Sequence, residues 1–154
     1  MKKFILATLL LSAVALPVHA ENYVIDTEKA HAFIQFKISH LGYSFVLGRF
    51  NKFTGEFSYD EKNPAASKVS VNVEPASLDS GDSERDKHLR GKDLFDVDKF
   101  TTAKFVSTSY TESAGGKAVL KGDLTLHGVT KSISIDVQQV GAGADPWGGF
   151  RRGF

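Results

Sequence analysis

The residues able to do chemistry in this chain are few and scattered. Arg85, His88 and Arg90 fall within one short stretch, Glu84 to Arg90, that reads as a helix. Arg85 and His88 are three apart and so share a helix face. A cationic pair there could hold a phosphate or polarise a carbonyl. The competing reading is a solvated helix in which Arg85 and Lys87 pair with Glu84 and Asp86. Four histidines follow residue 20: His31, His40, His88 and His127. No two have the spacing of a metal-binding pair such as His-x-x-x-His, so no metal site is expected. His40 continues the apolar face of a strand, which suggests a buried, hydrogen-bonded core histidine. The chain has no Cys, which excludes disulfides, thiolate catalysis, zinc ribbons and iron–sulfur clusters. No Gly-x-Ser-x-Gly nucleophile elbow occurs. The sequence therefore offers no catalytic constellation and implies no cofactor.

What surrounds these residues is mostly strand. Ile34, Phe36, Ile38 and His40 alternate with Gln35, Lys37 and Ser39, the period of two that puts one set on each face of a sheet. Phe53, Gly55, Phe57 and Tyr59 share a second face. Phe50 and Phe53 are three apart, so a bulge near Asn51-Lys52 is expected to bend that strand. Lys62-Asn63-Pro64 closes a turn, and Val69, Val71 and Val73 alternate after it. Asp82 or Ser83 caps the helix and Gly91 stops it. A further helical turn is expected around Asp93 to Val97. Leu120, Leu124 and Leu126 form another apolar face, and the tight turn His127-Gly128 leads to Ile133, Ile135 and Val137. From Gly141 to Phe154 the chain is Gly-rich and reads as loop, with Trp147 expected to plug a barrel end, the alternative being a partner-binding anchor. The tally is six or seven strands joined by hairpins, hence an all-β antiparallel fold, either sandwich or barrel. Gly48, Gly55 and Gly122 favour a barrel, since closure needs bends.

Composition narrows the function. Length 154 suits one domain. Nineteen basic residues against eighteen acidic ones leave no basic excess for counterion-driven nucleic-acid binding. Met1-Lys2-Lys3, an apolar run from Phe4 to Val18 and Val18-His19-Ala20 have the layout of a secretory signal. The run is about 15 residues, short of the roughly 20 a spanning helix needs, and Pro17 ends it. Residues 1–20 are therefore expected to be a cleaved signal peptide. Residues 21–154 form the exported domain, with no integral membrane segment. Loss of Lys2 and Lys3 turns the formal charge from +1 to −1. The style of the signal points to the periplasm.

Four segments carry a family resemblance. They are His40-Leu41-Gly42-Tyr43-Ser44 with Gly48, Phe50, Phe53 and Gly55; Ser77-Leu78-Asp79 leading into Glu84–Arg90; Gly122-Asp123-Leu124-Thr125-Leu126-His127-Gly128-Val129-Thr130-Lys131; and Asp145-Pro146-Trp147-Gly148-Gly149 before Arg151, Gly153 and Phe154. In this order and spacing the chain resembles the YceI-like family (UPF0312) of secreted bacterial proteins, from about Tyr23 to Phe154. The resemblance implies an extended, lipocalin-like antiparallel barrel of eight strands. It also implies an apolar tunnel for a polyisoprenoid, either a polyprenyl phosphate or a quinone tail. It implies a periplasmic, often stress-associated protein without metal or accepted catalytic activity.

Two departures stand out. Thr101 occupies a position where the family usually has Pro. Family members also continue past the Arg-x-Gly-Phe motif by enough residues for two more strands. The chain is accordingly expected to be a fragment or the product of a premature stop, lacking the last hairpin, with a variant whose foldability is in doubt as the alternative; a homodimer could cover unpaired edges.

The candidate tunnel lining is Ile34, Phe36, Ile38, His40, Phe53, Phe57, Leu124, Leu126, Ile133 and Ile135, with Arg85 and His88 at the head group. Gly55, Gly122 and Ala32 would leave the space. Against this stands the simpler reading that these residues fill a core. A lipid carrier is the favoured function. An enzyme acting on isoprenoid or stress metabolites, or a module that binds partners by a sheet edge, are the alternatives.

Overall fold

A computed structural model describes residues 20–28 and 31–154, so the expected signal segment lies outside the described residues except for Ala20. The strands are β1 (Glu21–Val24), β2 (Ile34–His40), β3 (Ser44–Phe50), β4 (Phe53–Tyr59), β5 (Lys68–Val73), β6 (Leu78–Asp79), β7 (Ala103–Glu112), β8 (Lys117–Leu126), β9 (Val129–Gln138), β10 (Gly141–Ala144) and β11 (Phe150–Gly153). Among the described residues one α-helix, α1 (Ser83–Arg90), interrupts them. All pairings are antiparallel. Six strands form one sheet in the order β1-β4-β5-β7-β8-β9, β2-β3-β6 form a second, and β10-β11 a third. Among the described residues β1 and β9 each pair with a single strand.

The expected bend separates β3 from β4. Asn51 N–H donates to the Ser77 carbonyl (3.1 Å), Lys52 N–H to Ser77 Oγ (2.9 Å) and Glu74 N–H to the Lys52 carbonyl (3.0 Å). These bonds clamp the bend to the 3₁₀ turn Pro75–Ser77. The same polypeptide thus serves one sheet before the bend and another after it. A second irregularity lies in β7. Ser107 faces Gly122 and Ser109 faces Lys121, so Thr108 is the extra residue of a bulge. Its effect is to change phase, which lets both Phe105 and Tyr110 be buried on the same side. The β8–β9 turn is tight because His127 (φ 50°) and Gly128 (φ 73°) are both left-handed.

The helix is where the sequence places it. Asp82 caps it, accepting from Arg85 N–H at 2.8 Å. Its side chains tie down the segment before it. Buried Asp86 accepts from Ser80 N–H (2.9 Å) and Ser80 Oγ (2.6 Å). Arg90 donates to the carbonyls of Ala76 (2.8 Å) and Leu78 (2.5 Å). At the centre sits Leu78, 1% exposed. The segment Asp93 to Val97 is a series of turns rather than helix, and it lays Phe95 edge-on to Phe50, 5.8 Å between ring centres.

The Gly-rich end is not loop. Gly141–Ala144 and Phe150–Gly153 pair as a hairpin. A Gly-Ala-Gly-Ala strand presents no apolar alternation, so the pattern that reveals the other strands is silent here. Asp145 builds the turn, accepting from the N–H of Trp147 (2.9 Å) and Gly149 (2.8 Å). Trp147 is 82% exposed and therefore does not plug an interior. Arg151 fastens the hairpin to the β1 end, donating to Asp145 (2.9 Å) and to Asp26 (2.7 Å).

Two predictions follow from this packing. A Cβ on Gly122 would lie 2.4 Å from the Phe105 ring and 2.5 Å from the Val106 carbonyl, while one on Gly143 meets nothing within 4 Å. Gly122→Ala should lower stability by about 1–3 kcal/mol in urea unfolding, and Gly143→Ala should stay close to wild type; equal midpoints for the two would contradict the packing. The second concerns acid. The Arg151 and His31 hydrogen bonds hold the Asp26 carboxyl below its usual range, and the Gly149 and Trp147 amides with Arg151 do so for Asp145. A depressed carboxyl contributes stability above its unfolded pKa of about 3.9 and loses it as pH falls through the folded value. The hairpin should therefore loosen only below about pH 4, read by the emission of Trp147. A transition already complete at pH 5, or one unchanged in Asp145→Asn, would contradict it.

Candidate functional site

The six-stranded sheet has one apolar face, built by register. Tyr23 faces Phe57 and Phe57 faces Val69. Val71 faces Phe105, Phe105 faces Leu124, Leu120 faces Ile135 and Ala118 faces Val137. Tyr59, Phe105, Tyr110, Ala118 and Leu120 are buried there, with Tyr23, Phe57, Val69, Val71, Leu124, Ile133 and Val137 packed around them. Tyr23 and Phe57 stack at 4.6 Å with planes 6° apart, and Phe154 meets Phe57 edge-on at 5.5 Å. Flat aromatic and branched aliphatic surface of this kind binds apolar chains by area rather than by direction.

Of the residues singled out from sequence, Phe53, Phe57, Leu124, Leu126, Ile133 and Ile135 are brought together on this face. Leu126 and Ile135 are the most exposed of the six, at 37% and 38%. Ile34, Phe36, Ile38 and His40 belong to the three-stranded sheet instead. Ile34 of one group and Phe53 of the other line a shared shallow hollow with Ala32 and Phe50. Ile38 is 58% exposed, and His40, expected in the core, is exposed at the end of its strand.

The glycines do not leave open space. The Phe105 ring lies over Gly122, the Phe36 ring over Gly48, and Ile25 Cδ1 against Gly55. Each glycine makes room for a side chain of the protein itself, as rings commonly cover strand glycines. Ala32 remains at the hollow.

Arg85 and His88 do not form a cationic pair on this face. Arg85 donates Nε–H to Ser80 Oγ (2.8 Å) and Nη2–H to the Ser80 carbonyl (2.6 Å), so its guanidinium braces the segment before the helix. His88 is exposed on α1. The pairing of Arg85 and Lys87 with Glu84 and Asp86 is replaced by these bonds to Ser80 and by Arg90 beside Asp86 at 3.9 Å.

A polar cluster that sequence reasoning missed closes one end of the apolar face. Tyr59 O–H donates to Glu112 Oε1 (2.6 Å), and Gln139 Nε2 lies 2.6 Å from the same carboxylate, 3.2 Å from Tyr59 Oη and 3.3 Å from Tyr110 Oη. Burial raises the pKa of both phenols, and Glu112 adds to this, so they remain protonated hydrogen-bonding groups. Arg152, its side chain 8% exposed, lies over Tyr59 with 4.2 Å from guanidinium carbon to ring centre and pairs with Glu61. Burial works against its charge, but Tyr23 and Glu61 outweigh that and leave it firmly protonated. The one sequence signal was Tyr59 itself, an alternation of apolar rings ending in one with a hydroxyl. Among the described residues no three His, Asp or Glu side chains converge to hold a metal ion, and no helix is long and apolar enough to cross a membrane.

Comparison with known proteins places this arrangement. A YceI-like domain profile matches residues 23–153. The chain is 58% identical over 156 aligned positions to a UPF0312 protein of Vibrio campbellii, covering all of this chain and 82% of the relative. A UPF0312 protein of Vibrio cholerae serotype O1 is 54% identical with the same coverage. Among solved structures, the Campylobacter jejuni YCEI protein superimposes with a TM-score of 0.66 at 30% identity, covering 81% of this chain and 73% of that one. Burkholderia cenocepacia BcnA gives 0.62 at 29% identity, over 64% and 62% of the two chains. With the profile spanning nearly all the described residues and the strands superimposing on those of its relatives, the chain belongs to the YceI-like domain family.

Proposed function

We propose that this protein binds the tail of a long-chain polyisoprenoid lipid against the apolar face of its six-stranded sheet and carries it through the periplasm. The observation that supports this most strongly is the continuity of that face. Phe57, Val69, Val71, Phe105, Leu124 and Ile133 share it, and a polar cluster bounds it at one end. An amphiphile with a long apolar tail and one polar end has the same distribution.

The energetics fit a tail-binding protein. Each methylene-sized unit removed from water contributes about 0.8 kcal/mol. Over tens of carbons the gross gain exceeds the practical ceiling of non-covalent affinity, so ordering of the tail and of the face must offset most of it. Tail length then governs affinity, and the face needs no directional contacts along its course. Binding is favoured over turnover because Arg85, Asp86 and Arg90, the most chemistry-rich cluster, are engaged in bracing Ser80, Ala76 and Leu78. Export through the segment 1–20 would place the carrier where prenyl lipids must cross water between membranes.

The test is direct. Protein purified from the periplasm is analysed by native mass spectrometry and again after organic extraction. The expected result is a chain beginning at Glu21 with an extractable prenyl compound. Delipidated protein should rebind prenyl chains more tightly as they lengthen, and Leu124→Asp should abolish rebinding while the fold survives by circular dichroism. Chain-length-independent binding, or full binding by a folded Leu124→Asp variant, would overturn the reading.

A further inference from the structure

We propose that the β2–β3 hairpin docks the protein on the surface of a bilayer that carries anionic phospholipid, with Leu41, Tyr43, Phe45 and Leu47 entering the interface. The inference goes beyond tail binding and stands on a different part of the fold. Its starting point is exposure. Leu41 and Tyr43 in the turn are 76% and 92% exposed, and Phe45 and Leu47 behind them are 59% and 64% exposed. Contiguous apolar surface of this kind marks a contact with something outside the chain.

The internal packing of the hairpin does not use these side chains. By register Phe36, Gly48 and Phe50 share one face, while Lys37, Phe45 and Leu47 share the other. The first face is packed at its root, where the Phe36 ring covers Gly48 and lies 5.7 Å from the Phe50 ring. Phe45 and Leu47 point away from it, at positions where a one-sided sheet carries polar residues. The turn carries the same sign. Leu41 has φ 54°, in the left-handed region that Gly, Asn and Asp adopt most readily. Gly42 follows with φ 76°, and Tyr43 N–H donates to the His40 carbonyl at 3.1 Å. An exposed leucine is the unfavourable choice for that position, since it neither suits the backbone nor is buried.

Charge and shape select the occupant. From His31 to Gly55 the sequence has no Asp or Glu. Arg49 and Lys52 lie near the root of the hairpin, 3.4 Å from Asp79 and 3.9 Å from Glu74. Lys37 forms no ion pair among the described residues and lies over the Phe45 ring, 4.0 Å from Nζ to ring centre. A lysine laid along an apolar side chain lets the ring enter the interface while the ammonium meets an anionic head group. Apolar side chains also stand on both faces near the turn, Ile38 on one and Phe45 on the other. A rigid partner covers one face of a two-stranded ribbon, whereas a fluid lipid layer closes around both. Insertion stops at the interface, because β2 pairs with β3 alone among the described residues and its other edge needs water.

The experiment is flotation of the full chain with two kinds of vesicle: phosphatidylcholine alone, and phosphatidylcholine mixed with phosphatidylglycerol at about three to one. Neither contains a prenyl lipid, so failure here leaves the tail reading intact. The anionic vesicles should capture the chain more strongly than the neutral ones and release it as salt rises. Leu41→Asn combined with Tyr43→Ser should weaken capture about tenfold, and Lys37→Gln about fivefold on the anionic vesicles only. Asparagine suits the left-handed turn, so circular dichroism should report an intact fold. Val140→Ser, at a similarly exposed apolar position outside the hairpin, should change nothing. Because the chain has no Cys, an environment-sensitive dye attached to Tyr43→Cys reports on the hairpin alone, and its emission should shift to the blue on anionic vesicles. Absence of capture, capture indifferent to lipid charge and salt, capture unchanged in both hairpin variants, or an unshifted dye would each overturn the proposal. So would a blue shift that grows with protein concentration in the absence of vesicles, which would assign the hairpin to a second copy of the chain.

Discussion

The antiparallel register that sets Phe57 beside Val69, Val71 beside Phe105 and Phe105 beside Leu124 is the constraint on which the remaining structure depends. Because side chains alternate with a period of two, a slip of one residue in any pair would turn a whole apolar row outward. Three local devices keep the rows in phase. The break at Asn51-Lys52 resets the phase between β3 and β4, the extra residue Thr108 resets it within β7, and the left-handed pair His127-Gly128 fixes the β8–β9 register. The helix contributes by immobilising the turn that clamps the first of these. Asp86 and Arg90 hold Ser80, Ala76 and Leu78, and Ser77 next to them holds the bend.

Aromatic rings do the filling. Phe105 over Gly122 fills space on the face of the six-stranded sheet, as Phe36 over Gly48 does within the three-stranded one. The face is therefore a continuous surface of rings and branched aliphatics, not a row of vacant slots. It changes character at Tyr59. There the rings acquire hydroxyls, and Glu112, Gln139 and Arg152 arrive from elsewhere in the chain to meet them. An apolar course with one polar end is the physical basis for reading the protein as a binder of amphiphiles.

Much of this was legible in the sequence, and the divide follows locality. The apolar alternation of Phe53 to Tyr59, Val69 to Val73 and Ile133 to Val137 revealed both strands and faces, and Phe50 and Phe53 three apart revealed the bend. Asp82 and Gly91 marked the helix because capping depends on neighbours within one turn. The hairpin of β10 and β11 was hidden because glycine and alanine leave no side-chain pattern. Trp147 was misplaced because the Asp145 turn is held by backbone amides, which leaves the ring facing solvent. Arg85 looked available for a ligand because nothing in its helix shows that Ser80 folds back to meet it. The polar end was invisible for the opposite reason to the helix: Tyr59 and Gln139 are 80 residues apart, and only the tertiary fold joins them.

The most direct test of this account is to locate the tail. A prenyl lipid with a photoactivatable diazirine in its chain is bound, irradiated and mapped by peptide mass spectrometry. The account predicts labels on the inner-face positions Phe57, Val71, Phe105, Leu124 and Ile133. Labels confined to Val106 and Val119 on the outer face of the same strands, or to the exposed β2–β3 hairpin around Tyr43, would contradict it.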